Sequence, residues 1–284
     1  MGTLARACLG LAVFVTCLCT NAVTSAQELV SFESAPVRLG QLQQRLARER
    51  GETPKAADAI EGYLAKPEGD GPFAAIVYLH GCDGLSKEFV AQSVTGLGYV
   101  SLSVDSFATR GIKDACTKPM PALMLAREGD ALGALSHLSK LPFVDPQRIA
   151  VLGGSMGGMV ALQLASTKQV EIFDFPRDLK FRAAVAYYPL CGVASEELVI
   201  PTLILIGELD DWTPAKNCEL WMKRRADRGA PVKLVVYPGA YHAFSVPAFA
   251  DGREMYGHWL KYDAEAAGSA VREMKSFLAA QFSR

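Results

Sequence analysis

The sequence has no excess of charge of either sign. Lysine and arginine number 29 and aspartate and glutamate 30, a formal net charge of −1 over 284 residues. A chain so balanced offers no basic face to nucleic acid and no strong field to steer a charged ligand. No segment repeats and no low-complexity stretch separates one half from the other, which excludes solenoid and beads-on-a-linker architectures. No two cysteines stand at C-x-x-C spacing, so a zinc site is not expected. Beyond the first 26 residues no apolar run is long enough to span a bilayer.

That opening segment has a layout of its own. Residues 1–26 carry a single charge, Arg6, then an apolar run from Ala7 to Cys19, then Thr24-Ser25-Ala26 ahead of Gln27. This is the plan of a secretory signal peptide cut after Ala26, with a membrane anchor as the alternative. Cleavage would leave a single domain, 27–284, in a periplasmic or secreted protein with no membrane attachment. It would also reduce seven cysteines to four, Cys82, Cys116, Cys191 and Cys218. An even set in an exported chain suggests disulfides, and four cysteines allow three connectivities.

Half of the chain is hydrophobic, and the apolar residues fall into short runs alternating with helical patterns. Strands are expected at 59–65, 74–79, 99–104, 148–152, 183–188, 202–206 and 232–237. Runs such as "AAIVYL" and "TLILIG" are continuously apolar, as strands covered on both faces are. Helices are expected over 87–97, 120–141, 156–166, 214–228 and 264–282, the fourth opening on Thr213 as N-cap with Pro214 at its first position. The alternation predicts one doubly wound, mostly parallel α/β sheet with helices on both faces. Ligands in such sheets meet the carboxyl ends of the strands, so the residues just after each strand carry the argument.

Those residues are informative. "IAVL" runs into Gly153-Gly154-Ser155-Met156-Gly157, "TLILI" into Gly207-Glu208-Leu209-Asp210-Asp211, and "KLVVY" into Pro238-Gly239-Ala240-Tyr241-His242. A serine, an acid and a histidine therefore follow one another, each after a different strand, in the chain order of nucleophile-elbow enzymes. A serine hydroxyl is a weak nucleophile at neutral pH. It needs a base in reach, and the base needs a third group to hold its tautomer. Gly153 and Gly157 flank Ser155 where strand must turn sharply into helix. The helix starting near Met156 aims its first amides at the reacting centre, making the Met156 amide an oxyanion donor. The second donor is expected in His80-Gly81-Cys82, at the Cys82 amide, with Gly81 and Gly84 admitting backbone close to substrate. Among three acids, the spacing of Gly207, Asp210 and Pro214 favours Asp210, with Asp211 second as a helix-start carboxylate. Of four histidines, only His242 stands late enough after a strand to be the base. His137 and His258 read as structural or surface residues, and His80 as either a pocket wall or a buried loop histidine.

These residues resemble the dienelactone hydrolase family of the α/β-hydrolase superfamily. The resemblance runs from about Gly62 to Ala280 and rests on "IVYLHGCDGL", "VDSFATRG", "VLGGSMGG", "LILIGELDDWTP" and "YPGAYHAF". It implies one compact domain without a large lid, no metal or cofactor, and a small-molecule ester or lactone as substrate. It places the nucleophile at Ser155, the acid at Asp210 and the base at His242. Two departures are plain: the best-known members use cysteine as nucleophile, and carry a glutamate where this chain has Gly81. A cysteine-controlling glutamate has no purpose beside a serine, so an ordinary serine esterase is expected, and the two departures weaken the case for dienelactone itself as its substrate.

The same motifs frame the secondary expectations. Cys82 with Cys116, and Cys191 with Cys218, are expected to bridge loops at the rim of the site. Arg110 is a candidate for binding an acidic substrate group, as a family arginine does in some members, against a structural ion pair with Asp105. Arg127 and Asp130 read as a surface or packing pair. Tyr188, Trp212 and Phe244 are candidate pocket walls or core residues. An acyltransferase or small peptidase using the same triad, or a non-catalytic binding protein, are the alternatives to hydrolysis, and a monomer is favoured.

Overall fold

The computed structural model describes residues 27–51, 57–86, 97–117 and 121–283. The expected signal segment at 1–26, and all but the last residue of the helix expected over 87–97, lie outside them. Eight strands form one sheet: β1 (Glu28–Glu33), β2 (Ala59–Ala65), β3 (Phe73–Leu79), β4 (Val100–Asp105), β5 (Val144–Gly154), β6 (Ala183–Tyr187), β7 (Thr202–Gly207) and β8 (Val232–Tyr237). Their spatial order is β1-β2-β4-β3-β5-β6-β7-β8. The first two pair antiparallel and the six from β4 to β8 run parallel. Every residue of β6 and β7 is buried, which requires cover on both faces of the sheet and explains the unbroken apolar runs.

The cover comes from helices between the strands. We number them α1 (Gln41–Glu49), α2 (Pro121–Leu138), α3 (Met156–Leu164), α4 (Thr167–Val170), α5 (Ala215–Arg225) and α6 (Ala264–Phe282). α2 packs on β3, β4 and β5, α3 on β3, β5 and β6, and α6 on β6 and β7. This arrangement is the α/β-hydrolase fold.

The seven expected strands and the four expected helices that fall on described residues are present, most with shifted ends. β5 starts four residues before the run at Arg148, through an irregular pairing with β3. α5 starts at Ala215, and no side chain caps its amides, so Thr213 is not the N-cap. Several elements were not foreseen. β1 exposes most of its residues and buries only Phe32, and α1 is polar and largely exposed. A two-stranded hairpin, β9 (Arg253–Met255) with β10 (His258–Leu260), follows β8, and Leu260 bridges to His242. Among the described residues no helix is long and apolar enough to cross a membrane.

Candidate active site

Ser155 stands at the turn between β5 and α3 with φ 53° and ψ −118°. A residue with a side chain rarely holds a positive φ, at a cost of roughly 1–3 kcal/mol. Here the turn lifts the hydroxyl clear of the sheet. The neighbouring glycines are demanded by packing: a Cβ on Gly153 would strike the backbone of Gly157, and one on Gly157 would strike the carbonyls of Leu79 and His80. The elbow is therefore wedged between its own helix and the end of β3.

The sheet brings the other two residues to it. Asp210 follows β7 and His242 follows β8, and both are almost fully buried. The Ser155 hydroxyl lies 3.1 Å from His242 Nε2, and His242 Nδ1 lies 2.7 Å from Asp210 Oδ2. The carboxylate is itself held. Its Oδ1 accepts the amides of Trp212 at 3.0 Å and Thr213 at 2.8 Å. Thr213 Oγ1 sits 3.0 Å from Oδ2 and 2.9 Å from the Tyr188 carbonyl oxygen. With Oδ1 engaged by amides, Oδ2 is left to accept the Nδ1 proton, which leaves Nε2 bare toward Ser155. The imidazole is packed between rings, Tyr188 edge-on at 4.9 Å and Trp212 at 5.2 Å.

The runner-up acid is elsewhere. Asp211 is exposed and its carboxylate lies 3.5 Å from His258, whose ring stacks on Trp212 at 4.8 Å. Tyr256 on the hairpin donates to Asp114 at 2.9 Å, tying the hairpin to the loop after β4.

Two disulfides brace the surrounding elements, one of them at the cavity itself. Cys82 is bonded to Cys116, linking the loops after β3 and β4 at the cavity, and Cys191, after β6, is bonded to Cys218 inside α5, so the expected pairs form but the second ties a loop to a helix rather than two loops. Met156 is the first residue of α3, so its amide has no partner within the helix. Cys82 follows the His80-Gly81 turn, and its carbonyl accepts from Ala115 at 2.9 Å.

Around Ser155 opens a cavity of about 770 Å3. Gly81, Tyr188 and Trp212 line it, as proposed from the sequence. Three other candidates do not. His80 is buried behind the loop, with Nδ1 2.7 Å from the Gly81 carbonyl, and burial lowers its pKa well below the usual histidine value. Phe244 is fully buried against Tyr187, Tyr188 and Tyr237. Arg110 grips Asp130 with both terminal nitrogens at 2.7 and 2.8 Å and also reaches Asp58 at 3.1 Å. Asp105 is not its partner, accepting instead from the amides of Phe107 and Ala108. Arg127 and Asp130 are not at the surface either. Both are fully buried, and the Arg127 guanidinium donates to the His80 carbonyl, propping the loop from behind.

Sequence reasoning passed over four contributors. Asp83 lines the cavity, and its signal was plain: it is the one acid in "HGCDG". Thr213 was read as a cap, although its place three residues after Asp210 suits a side-chain turn. The hairpin and the inner face of α6 also line the cavity, through Met255, Leu260, Ala267, Gly268, Val271 and Met274, and nothing local in the sequence announces that.

Comparison with known proteins agrees with this frame. The dienelactone hydrolase family profile matches residues 60–282. The chain belongs to that family. It is accordingly a hydrolase acting on ester bonds. Among its relatives is a Bradyrhizobium sp protein named "Probable 2-oxo-3-(5-oxofuran-2-ylidene)propanoate lactonase", 25% identical over 64% of this chain and 77% of that protein. An acylamino-acid-releasing enzyme of Arabidopsis thaliana is 23% identical over 77% of the chain, which spans 33% of that enzyme. Of solved structures, a dienelactone hydrolase-like promiscuous phosphotriesterase from metagenomic libraries superposes with a TM-score of 0.62 at 20% identity, over 89% of this chain and 98% of its own. A thermophilic esterase of Thermogutta terrifontis superposes at 0.55 and 18% identity, over 78% and 88%.

Proposed function

We propose that this dienelactone hydrolase family member is a serine carboxylesterase working through Ser155, Asp210 and His242. The observation that carries the reading is the unbroken line of contacts, 3.1 Å from Ser155 to His242 and 2.7 Å from His242 to Asp210, at the cavity floor. In the first half-reaction the Ser155 hydroxyl adds to the substrate carbonyl while His242 Nε2 takes its proton. The amides of Met156 and Cys82 hold the oxyanion, and Asp210 keeps the imidazole oriented and stabilises it when charged. The proton then passes to the leaving alkoxide, freeing the alcohol and leaving an acyl-serine. Water enters, gives a proton to His242, and attacks the acyl carbon. Return of that proton to Ser155 releases the acid. The substrate is a small-molecule ester or lactone, and no step calls for a metal or cofactor.

We place the mature enzyme, residues 27–284, outside the cytoplasm as a single domain and a monomer, after cleavage behind Ala26. The signal-like opening segment and the two disulfides support this, and amino-terminal sequencing of the exported protein tests it. The mechanism is tested with p-nitrophenyl acetate. Ser155→Ala should lower kcat by about 10^3-fold or more; equal rates for the two proteins would refute it.

A further inference from the structure

The cavity's lining is unequal in character. One end lies under α6 and is walled by Tyr187, Phe249, Ala267, Val271 and Met274; the Tyr187 hydroxyl there is directed at Met274 Sδ, and among the described residues no charged side chain lines that end. The other end holds Asp83, the sole Asp, Glu, Lys or Arg among the described lining residues. Its carboxyl folds back over the oxyanion loop: a Cβ placed on Gly81 would lie 2.8 Å from Asp83 Oδ1 and 3.9 Å from the Gly154 carbonyl oxygen. The negative charge therefore sits between the Cys82 loop and the elbow, beside the reacting centre. Among the described residues no cation lines the cavity beside it. Arg110 is committed to Asp130 and Asp58, and Arg127 lies behind the loop, fully buried, donating to the His80 carbonyl with its guanidinium over Phe107.

We infer that the site selects esters that are uncharged beside the scissile carbonyl, seating an apolar group against α6, and that Asp83 is the specificity residue that turns away substrates bearing a carboxylate there. This deepens the esterase reading and rests on it. The electrostatic logic is simple. A second carboxylate a few ångströms from Asp83, partly screened by solvent at the cavity mouth, meets like-charge repulsion of about tenfold in affinity. The surroundings already disfavour the first charge: desolvation, reinforced by Asp114, raises the Asp83 carboxyl above its ordinary pKa, against smaller opposing effects of a backbone hydrogen bond, His242 and Arg127.

The test uses two esters of matched length, ethyl butyrate and monoethyl succinate, differing in one carboxylate. Hydrolysis is followed by pH-stat at pH 8, and the readout is the ratio of kcat/KM, butyrate over succinate. The wild-type ratio should be about ten or more. Asp83→Asn should bring it down to about two, while Asp83→Glu should preserve it. A wild-type ratio near one, or an Asn variant with the wild-type ratio, overturns the inference. If neither ester is hydrolysed, the esterase reading fails, and the filter is then judged by calorimetric binding of the same two esters to Ser155→Ala protein with and without Asp83→Asn. Equal affinities there overturn it as well.

Discussion

Replacing Asp210 by asparagine keeps the shape of the site and changes its proton arithmetic. Asp210 Oδ1 is fixed by the amides of Trp212 and Thr213 at 3.0 and 2.8 Å. Both are donors, so the asparagine must keep its carbonyl oxygen there. Its NH2 then occupies the Oδ2 position, 2.7 Å from His242 Nδ1. Two donors cannot face each other, so the imidazole moves its proton to Nε2, against Ser155. The base is thereby occupied by the very proton it should lack. A wrong tautomer in a serine triad costs about 10^4 in kcat, or about 5.5 kcal/mol of transition-state stabilisation. Stability should suffer far less, by about 1–2 kcal/mol, because most hydrogen bonds persist. Steady-state kinetics with p-nitrophenyl acetate and urea denaturation separate the two effects. The control is Asp211→Asn, which touches only the exposed contact with His258 and should stay within about twofold. An Asp210→Asn enzyme within tenfold of wild type, or an Asp211→Asn enzyme as crippled as it, would refute the reasoning.

Two further predictions concern stability. Gly157→Ala drives a methyl group into the carbonyls of Leu79 and His80, which are backbone and cannot swing aside; unfolding free energy in urea should drop by about 3 kcal/mol, and a loss under 0.5 kcal/mol would show the elbow to be looser than described. Glu128 is buried beside Gln169, and burial pushes its carboxyl up to about 7 despite the Gln169 hydrogen bond pulling it down. A folded-state pKa above the unfolded value means its contribution is fully present below about pH 4 and is lost as pH rises through 7. Glu128→Gln should therefore stabilise by about 2 kcal/mol at pH 8 and hardly at all at pH 4.5; an equal gain at both values, read from urea midpoints, would contradict this.

The parallel core was legible because burial on both faces leaves an unbroken apolar run, as in "TLILIG", with glycine or an acid where the strand surfaces. β1 was not, because a lone Phe32 is its only buried residue; its place is decided by pairing with β2, which no local pattern records. The same division applies at the site. Ser155, Asp210 and His242 were readable since each follows a strand in a fixed order, and the spacing of Gly207, Asp210 and Pro214 pointed to Asp210, which lies 2.7 Å from His242 while Asp211 faces His258. Arg110 and Phe244 misled for a physical reason. A side chain next to a strand end can turn toward the cavity or behind the sheet, and both orientations suit an arginine with two acidic partners or an apolar ring among tyrosines. α6 gave no warning of its part in the cavity wall because its amphipathic pattern looks the same whether it covers the sheet or a substrate.

The order in which these parts leave the ribosome has a consequence for when the protein becomes active. Ser155 precedes His242 by 87 positions and Asp210 precedes it by 32. A chain extended only as far as β8 possesses its nucleophile and its acid without the base that joins them. Even when His242 has emerged, the hairpin that bridges to it and the helix that walls the cavity are still to come. A product shortened by its last forty or so residues would thus hold all three triad residues and still lack the hairpin and helix that wall the substrate cavity.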